Sequence, residues 1–381
     1  MTNVFEIGPI RPPSEANSLL LRVTENCPWN KCKFCMLYKE ASFHTRTVEE
    51  VKADIDAMAY YRDRILKHKD GDDFRRDALL AEYHSLATEE ERYCYQMVFH
   101  WMTEGQSHSI FLQDANTMVL RADRLAEIIS YIRVKLPEIK RVTSYGRADT
   151  LSRITKEDYQ RLRKAGLDRI HSGFESGSDK VLTLIGKGTT QQQQIDGGRK
   201  VREAGIELSI YFMPGAGGKE FSEDNALETA KVICAVNPDF VRLRTFVVKN
   251  GSFMWDMKEK GEFVECSDIE KLKEIRLMIS NIKNCTGTLA SDHIINLLER
   301  VNGNLGKDIP ALLEYIDEFL NLPPLVQKQY QLARRMGFAG DWKDMNRLHP
   351  SDLSRIKQVS ESITDAQEWE IMLNRYMDRY I

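Results

Sequence analysis

The sequence predicts an α/β fold, a partial (β/α)6 TIM-like barrel with a helical insertion and a helical C-terminal region. Three observations carry this reading. Short apolar runs alternate with longer helical patterns, the signature of βα units that build a parallel sheet. Six such repeats precede Lys249, too few for a closed eight-stranded barrel. Beyond Lys249 the strand signals give way to helical ones. At 381 residues, 42% hydrophobic and 29% charged, the chain is long enough for a barrel plus an accessory region and needs no covalent staples.

The expected strands are Leu19 to Thr24, Ser109 to Asn116, Arg141 to Tyr145, Asp168 to Phe174, Glu207 to Met213 and Phe240 to Val248. Helical patterns fit between them at Thr47 to Arg64, Arg121 to Leu136, Lys156 to Ala165, Gln191 to Ala204 and Ser222 to Val236. More than 80 residues separate the first two strands, where a crossover needs about a dozen plus short loops. The excess, about 66–105, is charged and helical in pattern ("RRDALLAEYHSL", "EEERYCYQMVFHWM") and reads as an insertion into a barrel domain spanning 1–263. Residues 264–381 read as a helical region, from "SDIEKLKEIRLMISNI" through "IINLLERV" and "IPALLEYIDEFLNL" to "PPLVQKQYQLARRM".

A net charge of −3 with mixed signs argues against nucleic acid as a partner. The N-terminal stretch shows no leader pattern, and no run of about 18 apolar residues occurs, so no membrane association and a cytoplasmic location are expected. Cys94, Cys234, Cys266 and Cys285 then read as free thiols.

Along a barrel strand, side chains alternate between the lumen and the outer helices. That alternation sets Arg22 and Thr24, then Arg169, His171, Gly173 and Glu175, then Glu207, Ser209, Tyr211 and Met213, and finally Arg242 and Arg244 on the inner face. A closed barrel of the ordinary kind is filled by branched apolar side chains. A polar interior implies a polar ligand or a set of internal ion pairs. His171, Tyr211, Arg242 and Arg244 are therefore substrate-contact candidates, the two arginines suiting an anion. "ASDHIINLL" reads as a helix start with Ser291 as its N-cap, which puts Asp292 and His293 in the first turn as candidate proton donors or substrate contacts.

"NCPWNKCKFCMLYK" places Cys27, Cys32 and Cys35 directly after the first strand, where barrel enzymes carry their chemistry. Three thiols are one short of a closed zinc site. A two-iron ferredoxin centre wants four. A four-iron cluster on three thiolates leaves one iron open.

This segment resembles the cluster loop of the radical S-adenosylmethionine (radical SAM) superfamily, and its core is similar to the oxygen-independent coproporphyrinogen dehydrogenase and methylthiotransferase group. The family's usual spacing is C-x3-C-x2-C, whereas this loop reads C-x4-C-x2-C. The resemblance extends through "SIFLQDANT", where Gln-Asp-Ala replaces a usual Gly-Gly-Glu, through "GLDRIHSGFESGSDKVLTLIGKG" and "GIELSIYFMPGAGGKE", to "DFVRLRTFVV". It implies one [4Fe-4S] cluster on Cys27, Cys32 and Cys35, and S-adenosyl-L-methionine as the second cofactor. It further implies cofactor contacts from Phe34 (adenine), Gln113, Asp114 and Asn116 (amino end), Ser144 and Arg147 (carboxylate or ribose), Glu175 with Ser176 (amino or ribose end), and the backbone at Met213 and Gly215 (adenine). No catalytic residue is assigned; Tyr145, Asp292 and His293 are the candidates. The implied function is reductive cleavage of S-adenosylmethionine to a 5′-deoxyadenosyl radical acting on a small or medium organic substrate, with flavodoxin or ferredoxin as reductant. The alternative is a cluster- or haem-binding carrier without radical turnover. A methylthiotransferase is disfavoured because no cysteines precede Cys27 and the C-terminus is not basic, and the short N-terminus leaves no room for a cobalamin domain.

Overall fold

The computed structural model describes residues 3–71, 73–104 and 108–377. The fold is α/β. Its eight-stranded sheet runs in chain order: β1 (Leu19–Arg22), β2 (Ser109–Gln113), β3 (Arg141–Tyr145), β4 (Leu167–Glu175), β5 (Glu207–Phe212), β6 (Phe240–Leu243), β7 (Thr288–Ala290) and β8 (Gly303–Asn304). The chain divides into two compact units: residues 1–28, 40–172 and 200–208 form the first, and 29–39, 173–199 and 209–381 the second.

In the first unit, β1, β2 and β3 pair in parallel, Leu19 opposite Ile110 and Ile110 opposite Val142. Their apolar side chains, with Ile55 and Met58 of α1 (Val48–Leu66) and Ile128 and Ile129 of α4 (Ala122–Lys135), are fully buried. Helix α1 begins where Thr47 and Glu50 form a reciprocal capping box. The long interval before β2 holds a two-stranded hairpin (Lys69–Asp70 with Asp73–Phe74), α2 (Arg76–Ser85) and α3 (Glu89–Thr103). Helix α3 packs on α1, with the buried rings of Tyr61 and Tyr95 meeting edge to face at 5.9 Å. The expected end of the insertion at Gly105 lies outside the described residues. Two helices, α5 (Ala148–Arg153) and α6 (Lys156–Ala165), follow β3.

In the second unit, α7 (Asp179–Leu184) and α8 (Gln191–Glu203, whose last residues belong to the first unit) follow β4, and α9 (Ser222–Val236) separates β5 from β6. After β6 come α10 (Phe253–Glu259) and α11 (Asp268–Ser280), which packs on α9. The expectation that strands end near Lys249 is corrected: β7 pairs in parallel with β6, Val241 opposite Leu289, and β8 returns antiparallel to β7. The helix expected from "ASDHIINLLERV" does not form. The guanidinium of Arg334 takes the carbonyls of Ile294 and Asn296, and that of Arg335 takes the carbonyl of Ile295, so these oxygens serve no helical ladder. Both arginines lie on α13 (Pro324–Arg335), between α12 (Ile309–Leu320) and the last helices, α14 (Pro350–Ser362) and α15 (Ala366–Met377). Among the described residues no helix is long and apolar enough to cross a membrane.

Candidate active site

Among the described residues no cysteine is in a disulfide; Cys32 is buried, and Cys27 and Cys35 are partly exposed. In the first unit, the residue before Cys27 is fixed from β2. The Asp114 carboxylate accepts from the Asn26 N–H (3.1 Å) and from the Arg22 guanidinium (3.2 Å). Asp114 is fully buried. Its role here is to hold the start of the cysteine loop, with Asn26 in the left-handed region at φ 64°.

In the second unit, residues 29–39 are seated on the segment after α7. The Trp29 indole N–H donates to the Gly186 carbonyl (2.8 Å), and the Lys33 N–H to that of Ile185 (2.8 Å). A Cβ on Gly188 would lie 2.1 Å from Trp29 Cζ2, so the close seat requires glycine. Within the loop, the Cys35 N–H bonds the Cys32 carbonyl (3.3 Å), and Lys39 Nζ donates to the carbonyls of Asn30 and Cys32 (3.0 and 2.9 Å).

Phe34 meets Phe246 edge to face at 6.4 Å and packs on a buried apolar cluster that includes Met213, Ala216 and Val248. Gly215 is left-handed (φ 87°), and its N–H donates to the Glu274 carboxylate of α11 (2.9 Å). Asn225 bridges the same carboxylate (2.7 Å) to the Met213 carbonyl (3.2 Å), and Ser222 donates to its other oxygen. Burial raises the Glu274 pKa to about 7, against the lowering effect of these bonds. Glu274 thus braces the turn after β5.

Glu175 ends β4 at φ 63°, outside the usual region for a side-chain-bearing residue. Its Oε1 accepts from Lys187 Nζ at 2.8 Å, both residues being largely buried. A Cβ on Gly173 would fall 2.2 Å from that oxygen, so the glycine makes room for the pair. The Ser176 hydroxyl is turned inward and accepts from the Ser178 N–H (2.9 Å).

Several of the residues expected to contact a ligand are engaged within the chain. Both amide hydrogens of Gln113 go to the carbonyls of Gly8 and Ile10, and its oxygen accepts from the Gly8 N–H, so it pins the N-terminal segment and keeps no donor for a ligand. Asn116 is spent on the Thr150 hydroxyl (2.9 Å) and the Arg147 N–H (3.0 Å). His171 is fully buried against Glu15 (3.0 Å). Although burial opposes it, bonds from His171 and Ser18, with Arg141 nearby, hold Glu15 below the usual carboxylate range. Ser144 donates to the Tyr145 carbonyl (3.2 Å), Arg147 Nε bonds Asp149 (3.0 Å), and the Tyr145 ring stands edge-on to Phe111 at 4.9 Å. Tyr211 is half-buried on β5, opposite Arg242.

Arg242 is buried, donates to the Ser209 hydroxyl (3.0 Å), and forms an ion pair with Asp292 just beyond β7. Arg244 is half-buried, its N–H on the Phe212 carbonyl (2.9 Å). Its guanidinium has no ion pair or hydrogen bond among the described residues. Burial, then the positive charges of Arg244 and Lys249, push the His293 imidazole down to about 4, so it is neutral at pH 7.

Cys27, Cys32 and Cys35 lie close together in sequence after β1, and three thiols are a donor set of the kind that holds a four-iron cluster. A family model described as the radical SAM superfamily matches residues 92–230, from α3 through β2, β3, β4 and β5 into α9. The matched stretch, well under half of the chain, is similar to the radical SAM superfamily.

The chain is 25% identical over 125 residues to the tRNA uridine(34) acetyltransferase of Methanocaldococcus infernus, spanning 32% of this chain and 23% of that protein. It is 51% identical over 49 residues to the 4′-phospho-dehydrooxetanocin synthase of Priestia megaterium, 13% of this chain and 7% of that one. Among solved structures it is similar to coproporphyrinogen III oxidase (HemN) from Escherichia coli, described as a radical SAM enzyme, with a TM-score of 0.45, 14% identity, and 69% and 51% of the two chains covered. The chain thus spans under a quarter of the length of these curated relatives. Trp29, Lys187 and Glu274 escaped the sequence reading. Only the glycines of "LIGKG" around Lys187 signalled a close approach.

Proposed function

We propose that the cluster is held by Cys27, Cys32 and Cys35 and that the protein acts on a small or medium organic substrate, with a flavodoxin or ferredoxin supplying electrons in the cytoplasm. The observation that carries this is the cysteine loop itself: three cysteine side chains after β1, in a chain whose residues 92–230 match the radical SAM model. When bound, the cluster and S-adenosylmethionine supply an electron and a sulfonium whose reductive cleavage yields a 5′-deoxyadenosyl radical that removes hydrogen from substrate.

The chain's own residues bind and orient. Phe34, Met213 and Ala216 form an apolar wall suited to adenine, beside the left-handed turn at Gly215. Glu175, held by Lys187 through one oxygen, offers the other to the cofactor's ammonium or ribose hydroxyls. Asp114 holds the residue before Cys27, and the 185–188 seat holds Trp29 and Lys33. Free cysteines throughout fit a reducing compartment. The carrier reading is not favoured, since the curated relatives are named as enzymes. The net charge of −3 continues to argue against a nucleic-acid substrate.

The test is anaerobic reconstitution with iron and sulfide, addition of S-adenosylmethionine and dithionite, and quantification of 5′-deoxyadenosine. Cleavage in the native protein that vanishes in the Cys27→Ala, Cys32→Ala, Cys35→Ala variant is the expected result. Four irons bound with no cleavage would overturn the enzymatic reading.

A further inference from the structure

We infer that Arg244 and His293 form a subsite for a phosphate group carried by the substrate, an assignment that rests on the radical SAM reading above. The geometry begins with the Arg242–Asp292 ion pair, which ties the end of β6 to the loop after β7 and sets His293 next to the 244–249 segment. A buried apolar contact of Val247, Ile295 and Met377 fixes the same two segments together, and Lys249 Nζ donates to the Met377 carbonyl (2.8 Å).

The charges at this place do not balance. Asp292 is taken by Arg242. Glu265, whose Oε1 accepts from the Val248 N–H, is taken by Lys258 and Lys271. Arg244 and Lys249 therefore bring two positive charges to one short segment with no carboxylate left for Arg244 among the described residues.

His293 completes a donor set. Its Nδ1 accepts from the Ile295 N–H (3.3 Å), which leaves the ring proton on Nε2 as a donor. A neutral imidazole, kept uncharged by burial and then by the two cations beside it, supplies a hydrogen bond now and can take up a proton once an anion arrives. A planar guanidinium, an imidazole donor and a nearby ammonium match the oxygens and double charge of a phosphate monoester better than the single charge of a carboxylate.

Isothermal titration calorimetry of the reconstituted protein with inorganic phosphate tests this. Expected is saturable binding that weakens tenfold or more in Arg244→Gln and by less in Arg244→Lys, which keeps the charge but loses the fork. Phosphate binding should persist under saturating S-adenosylmethionine and should exceed that of acetate. No binding, equal binding by Arg244→Gln with its fold intact, or equal affinity for acetate would overturn the assignment. Displacement of phosphate by S-adenosylmethionine would also overturn it, by giving Arg244 to the cofactor's carboxylate. The readout is heat of binding, so its failure leaves 5′-deoxyadenosine formation to stand or fall by its own assay.

Discussion

Gly188→Ala should dislodge the cysteine loop. At φ 67° an alanine costs about 1–2 kcal/mol over glycine. Its Cβ would lie 2.1 Å from Trp29 Cζ2, well inside the 3.4 Å where ordinary contact begins. Relieving that overlap costs roughly a further 1–3 kcal/mol, and moving the indole also gives up its 2.8 Å bond to the Gly186 carbonyl, worth about 1 kcal/mol. The total is about 3–6 kcal/mol, concentrated on the loop that carries Cys32 and Cys35. Gly205→Ala is the control: φ is 72° there, but nothing lies within 4 Å, so only backbone strain of about 1–2 kcal/mol applies. Iron and sulfide per chain after anaerobic reconstitution, read beside thermal unfolding, separate the two. Gly188→Ala should lose iron several-fold while Gly205→Ala retains it. A Gly188→Ala protein with native iron content, or a Gly205→Ala protein equally depleted, would refute the reasoning.

Lys187→Met leaves the Glu175 carboxylate buried without its partner and should destabilise the fold by about 3–5 kcal/mol in thermal unfolding; adding Glu175→Gln should restore most of that stability but not S-adenosylmethionine affinity measured by equilibrium dialysis. Restored affinity would remove Glu175 from the cofactor's contacts. Glu274, raised from 4.5 to about 7, holds its proton in the folded chain over a range where the unfolded chain has lost it. Stability therefore falls as pH rises from about 4.5 to 7, by roughly 3 kcal/mol from this group, with Glu370, also raised to about 7, adding the same sign. Glu274→Gln should flatten the difference in unfolding temperature between pH 6 and pH 8, and an unchanged slope would locate the titration elsewhere.

The βα alternation was legible because six strands are long enough to show an apolar run before a helical one. Strand β7 was not: three residues, Thr288–Ala290, are too few for a period. The misread helix at 294–301 has a different cause. Its apolar spacing is helical, but the carbonyls of Ile294, Ile295 and Asn296 are claimed by Arg334 and Arg335, some 40 residues away, and no local pattern reports a distant donor. In the site, the cysteines announced themselves by spacing, whereas Glu274 looked like any exposed glutamate of an amphipathic helix.

Polar residues on the inner faces of strands signalled a charged interior without saying which charges would cancel. Arg169 meets Glu207 at 2.7 Å, Arg242 meets Asp292, and His171 meets Glu15. Two of these partners were misplaced by the sequence reading: Glu15 lies outside its helices and strands, before β1, and Asp292, expected in the first turn of a helix, follows a strand that was not foreseen. Pairing of this kind leaves little net charge to act on a ligand, because each ion's field is spent on its neighbour. Function therefore concentrates where pairing is incomplete. Glu175 has one oxygen committed to Lys187, and Arg244 has no carboxylate among the described residues. In the second unit, the first suits a cation or hydroxyl and the second an anion, so a cofactor ammonium and a substrate phosphate call for different residues of the same barrel rim.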